Sequence, residues 1–186
     1  MMRAWLTLLQ AWRWPVVAML ISAIMLAAAH GFERFMLLYP CPLCLRQREI
    51  YWALLAMTAV GLALWRLKPI PRFLEGLNIL IGMVFVCGAG IAFYHMGVEN
   101  GWFPAPAGCA VPTAQDAAEA ATGDLGLGKR MATSSCSEVP WSMIGLSMAG
   151  WNMVVSLILA GLSFYASRRT RVENLRRAQA ELGEGL

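Results

Sequence analysis

Long apolar stretches without charged residues alternate with short polar segments along the 186-residue chain. Four of these stretches approach the roughly 17–25 residues that a helix needs to cross the apolar core of a bilayer. They cover residues 14–32, 50–65, 76–98 and 141–167. Because a backbone in hydrocarbon must satisfy its own hydrogen bonds, such stretches form helices. The pattern therefore predicts an all-α integral membrane protein, a bundle of four transmembrane helices.

The composition excludes the other broad classes of protein. Apolar residues make up 59% of the chain and charged residues only 14%, whereas a soluble domain is about half apolar and about a quarter charged. Intrinsic disorder requires low hydrophobicity and high net charge, so it is excluded as well. The net charge of +4 does not by itself indicate a nucleic-acid partner, and we expect none.

Lysine and arginine are divided unequally between the two sides of the predicted bundle. Ten of them fall on the side that holds both termini and the connection 66–75, and five fall on the side of the loops 33–49 and 99–140. Positive charge is retained in the cytoplasm, so we predict cytoplasmic termini and two outward loops. The arginines of the tail 168–186 then anchor this topology beside anionic lipid. An alternative is a signal peptide cleaved near Ala27–Ala29, which leaves both loops on the same side.

Four of the five cysteines, Cys41, Cys44, Cys109 and Cys136, lie in the two outward loops. Disulfides persist in oxidising compartments such as the periplasm, so two loops with two cysteines each offer two potential pairs. The fifth, Cys87, lies inside the third span, where no second cysteine is available to it. We expect it to be an inert buried thiol.

Cys41 and Cys44 form a C-x-x-C motif just before the second span. Pro42 suits the first position of a helix, where its missing N–H costs nothing, so Cys41 is expected at the N-cap. A helix N-terminus favours a thiolate, and C-x-x-C cysteines often have a lowered pKa. Arg48 follows Cys44 by four residues and shares its helix face. An arginine this close to lipid needs an anionic partner, which the Cys44 thiolate or an oxygen of a reduced electron carrier would supply.

The same residues also fit other kinds of site. A C-x-x-C motif alone occurs in static disulfides and in zinc sites, and Arg48 could serve only to mark the bilayer edge. The four loop cysteines could form a Cys₄ site for zinc or copper(I). Cys109 and Cys136 bracket a long loop, with a short helix predicted over Ala114–Ala121, which a static disulfide would close. Covalent haem is not expected, because Leu45 stands where that motif requires histidine.

Three stretches of the chain resemble the DsbB family, the disulfide bond formation proteins B. They are MLLYPCPLCLRQR before the second span, YHMGVENGWFPAPAGC after the third and CSEVPWSMIGLSMAGWNM entering the fourth. The order and spacing of the cysteine pairs are specific to this family. The related vitamin K epoxide reductase type is less similar, because it carries its C-x-x-C motif late in the chain.

The resemblance implies a quinone-dependent thiol oxidase in a bacterial inner membrane, with both loops in the periplasm. The family reoxidises a soluble periplasmic thiol oxidase, DsbA, and passes two electrons to a membrane quinone, either ubiquinone or menaquinone. By resemblance, Cys109 forms the mixed disulfide with a DsbA-like partner, and Cys136 is its disulfide partner. Cys41 exchanges with this loop pair, while Cys44 and Arg48 face the quinone.

Four further residues complete these expectations. His95, near the outer end of the third span, is a candidate donor to a quinone carbonyl, and its alternative is an interfacial residue bonded to backbone or water. Glu33 is not assigned to the site, because a neutral polar residue would suit a quinone pocket better. Met148 and Trp151 are expected to pack in the bundle or to touch an isoprenoid chain. We assign no metal ligand.

Overall fold

Four long helices make up most of the structure, a computed structural model that describes residues 12–36, 40–70, 72–106, 109 and 135–183. The helices are α1 (Arg13–Phe35), α2 (Pro42–Leu67), α3 (Phe73–Glu99) and α4 (Met148–Gly183). The strands β1 (Ser142–Met143) and β2 (Leu146–Ser147) form a small antiparallel hairpin. All four helices are long and apolar enough to cross a membrane. The predicted all-α membrane fold is confirmed, with the hairpin as an addition.

Helix α3 is the most buried of the four helices and packs most extensively against α4. Its core side chains Ile81 and Phe85 are fully buried. Gly82 lets the ring of Phe164 approach so closely that an added Cβ would lie 2.8 Å from it. Helices in lipid gain no hydrophobic driving force from meeting one another, so close packing and interhelical hydrogen bonds hold such a bundle together.

The outer surface of the bundle exposes large apolar side chains. On a protein in water, a continuous surface of this kind would promote aggregation. In a bilayer the same side chains contact hydrocarbon, which is as apolar as they are. The exposed set includes Leu20, Ile24, Val60, Leu64, Leu80, Val86, Leu157 and Ile158.

Helix α2 begins at the C-x-x-C motif, as the sequence predicts. Pro42 is its first residue and Cys41 is its N-cap, with extended backbone. The Cys41 Sγ atom accepts a hydrogen bond from the backbone N–H of Cys44 at 3.3 Å. A side chain that caps a helix in this way satisfies one of the N–H groups left free in the first turn. The helix thus starts well before residue 50 and carries both Cys44 and Arg48 on its first turns.

The fourth span differs from the sequence-based prediction at its start. The apolar run predicts a helix from about residue 141, but α4 begins at Met148 and the hairpin precedes it. Ile144 and Gly145 have positive φ values of 53° and 77°, as a two-residue type I′ turn requires. Ser147 then caps α4 by accepting a hydrogen bond from a backbone N–H of its first turn at 3.1 Å. Hydrophobicity alone does not distinguish this apolar hairpin from helix.

At its other end, α4 continues as one helix of 36 residues to Gly183. The arginine-rich segment that the sequence analysis separates as a tail from residue 168 is therefore a continuation of the fourth helix. Two contacts hold this extension to the start of α3. The Ser167 hydroxyl donates to the carbonyl oxygen of Glu75 at 3.1 Å, and Arg171 Nε lies 3.9 Å from the Glu75 carboxylate.

A buried hydrogen bond between α1 and α4 generates a first prediction. Trp14 Nε1 donates to Ser163 Oγ at 2.9 Å. The replacement Ser163→Ala leaves this indole N–H without an acceptor, so we expect the free energy of unfolding to fall by about 1 kcal/mol. The measurement is reversible unfolding in mixed detergent micelles.

The matched control for this prediction is Ser22→Ala. Ser22 is buried like Ser163, and both hydroxyls donate to the carbonyl oxygen four residues earlier. The two serines differ in one respect: within the described part of the chain, Ser163 also accepts a hydrogen bond from another helix and Ser22 does not. Equal losses of stability in the two variants would show that the interhelical bond contributes nothing.

Candidate functional site

The four loop cysteines meet in one place, where α2 begins and α3 ends. Cys109 and Cys136 are joined by a disulfide and are buried. Cys41 belongs to the same buried cluster, and Cys44 packs against it. The structure therefore brings the two cysteine pairs of the two loops together in one cluster, as an exchange of disulfides between them requires.

Cys41 and Cys44 are free thiols whose Sγ atoms are 3.0 Å apart. The hydrogen bond with Cys44 is the largest cause that lowers the pKa of Cys41, and the neighbouring His95 adds to it, against the opposing effect of burial. The lowered pKa favours the thiolate form of Cys41. The thiolate is the form that attacks disulfides, and a thiol of low pKa is also a good leaving group.

His95 lies beside Cys41, in the interior of the protein. Its Nε2 atom is 3.5 Å from Cys41 Sγ, and its Nδ1 atom is 2.7 Å from the side-chain nitrogen of Gln47. Nε2 is also 3.8 Å from the carboxylate of Glu99, which is buried and accepts a hydrogen bond from Ser147. His95 thus contacts a cysteine directly, which the sequence analysis does not anticipate.

Two buried amides that the sequence analysis missed continue this chain of contacts. Gln47 Oε1 accepts a hydrogen bond from Asn152 Nδ2 at 2.5 Å, and Asn152 Oδ1 accepts one from the Tyr51 hydroxyl. The Tyr51 hydroxyl also lies 3.4 Å from Ser156 Oγ. Polar side chains inside spanning helices are costly unless they are paired. Asn152 lies inside the predicted fourth span and could have been found in the sequence by that criterion, whereas Gln47 lies outside the predicted spans.

Arg48 is paired with Glu33 of α1, a residue that the sequence analysis leaves out of the site. Arg48 Nη1 donates to Glu33 Oε2 at 2.5 Å, and Nη2 donates to the carbonyl oxygen of Ala29 at 3.2 Å. The anionic partner of Arg48 in the structure is therefore a carboxylate, in place of the expected Cys44 thiolate or reduced carrier. Charge-assisted bonds of this kind fix the direction of a guanidinium group.

A cavity of about 350 Å³ lies between α1, the start of α2 and the start of α4. Cys44, Arg48 and His95 all contribute to its wall. Pockets of this size with mostly apolar walls and a few polar groups bind small organic molecules. The apolar part of the wall includes Met25, Leu26, Phe32, Met148, Trp151 and Val155.

The sequence profile of the family described as "Disulfide bond formation protein DsbB" matches residues 11–166. The chain belongs to the DsbB family. This confirms the resemblance found in the sequence and makes the protein a disulfide-forming oxidoreductase of a membrane. No solved structure gives a significant match.

Curated relatives in the DsbB family carry the name "Disulfide bond formation protein B". The relative from Nitrosococcus oceani is 29% identical over 155 residues, which cover 81% of this chain and 87% of the relative. That from Dechloromonas aromatica is 31% identical over 76% of this chain and 81% of its own length. That from Xylella fastidiosa strain Temecula1 is 30% identical over 81% and 85%, respectively.

The cysteines of this DsbB-family protein also bear on metal binding. The ligand atoms of Cys41, Cys44 and His95 all lie within 4.8 Å of one another, so these three residues could together hold an ion. The Cys₄ site considered from the sequence needs thiolates from Cys109 and Cys136 as well, and these two are bonded to each other. In this oxidation state the protein does not present four cysteine ligands.

Cys87 lies apart from the cysteine cluster. It is exposed on the outer surface of α3, next to exposed Val86. The sequence-based prediction of a buried thiol is therefore wrong. Cys87 lies on the face of α3 that turns away from the bundle, so its environment in a membrane is lipid. The helix predicted over Ala114–Ala121 lies outside the described residues.

The chain leaves α3 toward Cys109 through a tight turn. Gly101, with a φ of 72°, follows the helix in the left-handed conformation common after a helix C-terminus. The backbone N–H of Phe103 returns to the carbonyl oxygen of Gly97, and the Phe103 ring stacks on Tyr94 with 5.6 Å between centroids. Phe103 also packs against the cysteine cluster, so this turn supports the position of Cys109.

This turn generates a prediction for Gly97→Ala. The added Cβ would lie 2.2 Å from Phe103 Cδ2, so the ring must leave its stack. Overpacking of this kind costs about 1–3 kcal/mol, and we expect a lower thermal unfolding temperature in detergent. The control is Gly90→Ala, two turns earlier on α3, where an added Cβ meets nothing within 4 Å. If both variants unfold at the same temperature, the close contact with Phe103 is not a constraint.

Proposed function

We propose that this protein oxidises the dithiol of a soluble periplasmic partner of the DsbA type and passes two electrons to a membrane quinone. Family membership supports the disulfide-forming activity. The observation that carries the full proposal is that the Cys109–Cys136 disulfide and Cys41 share one buried cluster. Cys44 packs against this cluster and borders an apolar cavity. The excess of lysine and arginine on the other side supports cytoplasmic termini in a bacterial inner membrane.

Cys109 and Cys136, the outer pair, receive the electrons of the partner. A partner thiolate attacks Cys109 Sγ, the bond between Cys109 and Cys136 breaks, and Cys136 leaves as a thiolate. The second thiolate of the partner then attacks the mixed disulfide, so the partner departs with its own disulfide and Cys109 is left as a thiolate. Each exchange needs an attacking thiolate and a stable leaving thiolate.

Cys41 and Cys44, the inner pair, then accept the two electrons from the outer pair. The Cys136 thiolate attacks Cys41 of a Cys41–Cys44 disulfide and frees Cys44. The Cys109 thiolate attacks Cys136, which reforms the outer disulfide and releases Cys41, a good leaving group because of its low pKa. In the structure the outer pair is bonded and the inner pair is free, which matches the state reached after this reaction step.

The residues of the cavity fit a quinone. Its apolar walls suit a ring and an isoprenoid chain, and Arg48 offers N–H donors suited to a carbonyl oxygen. A bound quinone would supply an acceptor for two electrons and two protons as Cys41 and Cys44 close to a disulfide. His95, Met148 and Trp151 border the same space. Both ubiquinone and menaquinone meet these requirements.

Quinone reduction tests this proposal directly. The purified protein in detergent is expected to reduce a soluble quinone only when a reduced DsbA-type protein is supplied. Cys44→Ser should abolish the reaction, because the inner pair can no longer close. Cys87→Ser should keep the wild-type rate, because Cys87 lies on the outer surface of α3. Quinone absorbance reports the rate, and normal turnover by Cys44→Ser would refute the mechanism.

Arg48→Ala tests the role of the guanidinium group in quinone binding. Loss of a charge-assisted hydrogen bond should raise the apparent KM for quinone by about tenfold or more. The control is Arg46→Ala, because Arg46 is exposed and pairs with Glu49 on the helix surface. Adding Glu33→Gln to Arg48→Ala removes the carboxylate left unpaired and should keep the raised KM. An unchanged KM would leave Arg48 as an anchor at the bilayer edge.

A further inference from the structure

A directional chain of hydrogen bonds ends at the sulfur of Cys41. Asn152 Nδ2 donates to Gln47 Oε1 at 2.5 Å, which turns the amide nitrogen of Gln47 toward His95 Nδ1, 2.7 Å away. An amide nitrogen only donates hydrogen bonds, so Nδ1 is the acceptor. In a neutral imidazole the proton then lies on Nε2, which faces Cys41 Sγ at 3.5 Å.

The direction of this chain is set where α2 meets α4. Asn152 Oδ1 accepts a hydrogen bond from the Tyr51 hydroxyl and lies 3.5 Å from the Ser156 hydroxyl. Two hydroxyl groups at the oxygen leave the nitrogen of Asn152 to face Gln47. The side chains that form this chain of hydrogen bonds are buried, and the low dielectric around them strengthens the bonds.

We propose that Gln47 and Asn152 are positioning residues that hold His95 in the tautomer whose Nε2–H group donates to the Cys41 sulfur. Both residues also border the cavity beside Cys44, but neither attacks a disulfide in the reaction described above. The proposal deepens the proposed function, on which it rests only for the part that Cys41 plays in turnover.

A fixed Nε2–H donor has a defined effect on the sulfur. A donor stabilises the thiolate over the thiol, in agreement with the lowered pKa of Cys41, to which Cys44 contributes most and His95 adds. A proton on Nδ1 would instead present a nitrogen lone pair to the sulfur and favour the thiol. Gln47 selects between these two arrangements, because its nitrogen occupies the Nδ1 side of the ring.

Other ionisable groups surround this part of the site, and the variants Gln47→Met and Asn152→Leu leave them unchanged. Glu99 lies 3.8 Å from His95 Nε2 and competes with the sulfur for its proton, so the readout must report the state of Cys41 itself. The groups are Cys44, Arg48 and Tyr51 on α2, His95 and Glu99 on α3, Glu33 on α1 and Glu138 before the hairpin.

The experiment measures the rate of alkylation of Cys41 by iodoacetamide against pH. The full-length protein in detergent is first reduced with a phosphine, and peptide mass spectrometry reads Cys41 alone. Gln47→Met, which keeps the shape of the side chain, should raise the midpoint of this profile by about one pH unit, a tenfold loss of thiolate below the midpoint. Asn152→Leu should shift it in the same direction by less, because Gln47 then loses only its orientation.

Thr58→Val is the matched control. Thr58 lies three turns beyond Gln47 on the same face of α2, is fully buried, and its hydroxyl bonds to none of the described residues. This variant should leave the profile unchanged. An unchanged profile in Gln47→Met, or an equal shift in Thr58→Val, would overturn the proposal.

A double variant separates positioning from packing. Because Gln47 acts through the imidazole, His95→Leu should shift the profile at least as far as Gln47→Met, and combining the two should add nothing. Additive shifts would overturn the proposal. Neither quinone nor partner protein takes part in these measurements. A wild-type protein that fails to reduce quinone would refute the proposed function and leave this result standing.

Discussion

The way in which α2 begins is the constraint on which the rest of the site depends. Pro42 starts the helix, and the N-cap residue Cys41 turns its sulfur back to the backbone N–H of Cys44. The two sulfurs come within 3.0 Å of each other, and Cys41 lies in one buried cluster with the disulfide of the other loop. Helix capping, a local interaction, thus places the Cys41 sulfur for disulfide exchange between two distant parts of the chain.

Paired polar groups surround this helix start, whereas apolar and small residues fill much of the core. Gln47, Asn152 and Tyr51 bond to one another, and Arg48 is paired with a carboxylate of α1. Unpaired polar groups are costly in a membrane, so each pair also ties one helix to another. The same bonds therefore hold the helices together and orient the groups around the cysteines, which couples the stability of the bundle to the state of the site.

Local sequence was sufficient to predict the helices and the N-cap at Cys41, since both depend on runs of neighbouring residues. The short hairpin before α4 was missed because its residues are as apolar as the helix that follows. The partner of Arg48 and the role of Gln47 were missed for a different reason. Each depends on which faces of separate helices meet, and the positions of polar residues in one sequence do not reveal that.

The length of α4 has a mechanical consequence. Its 36 residues extend about 54 Å, so about 24 Å of helix projects past a hydrocarbon layer of roughly 30 Å. The guanidinium groups beyond Ser167 therefore stand at successive heights above the lipid, and the attraction of anionic headgroups fades over about 8–10 Å. If the helix moved deeper, the nearest guanidinium group would enter hydrocarbon. If it moved outward, the guanidinium groups would lose their attraction to the headgroups. In a bilayer with anionic headgroups, these opposing costs would hold the bundle at one depth.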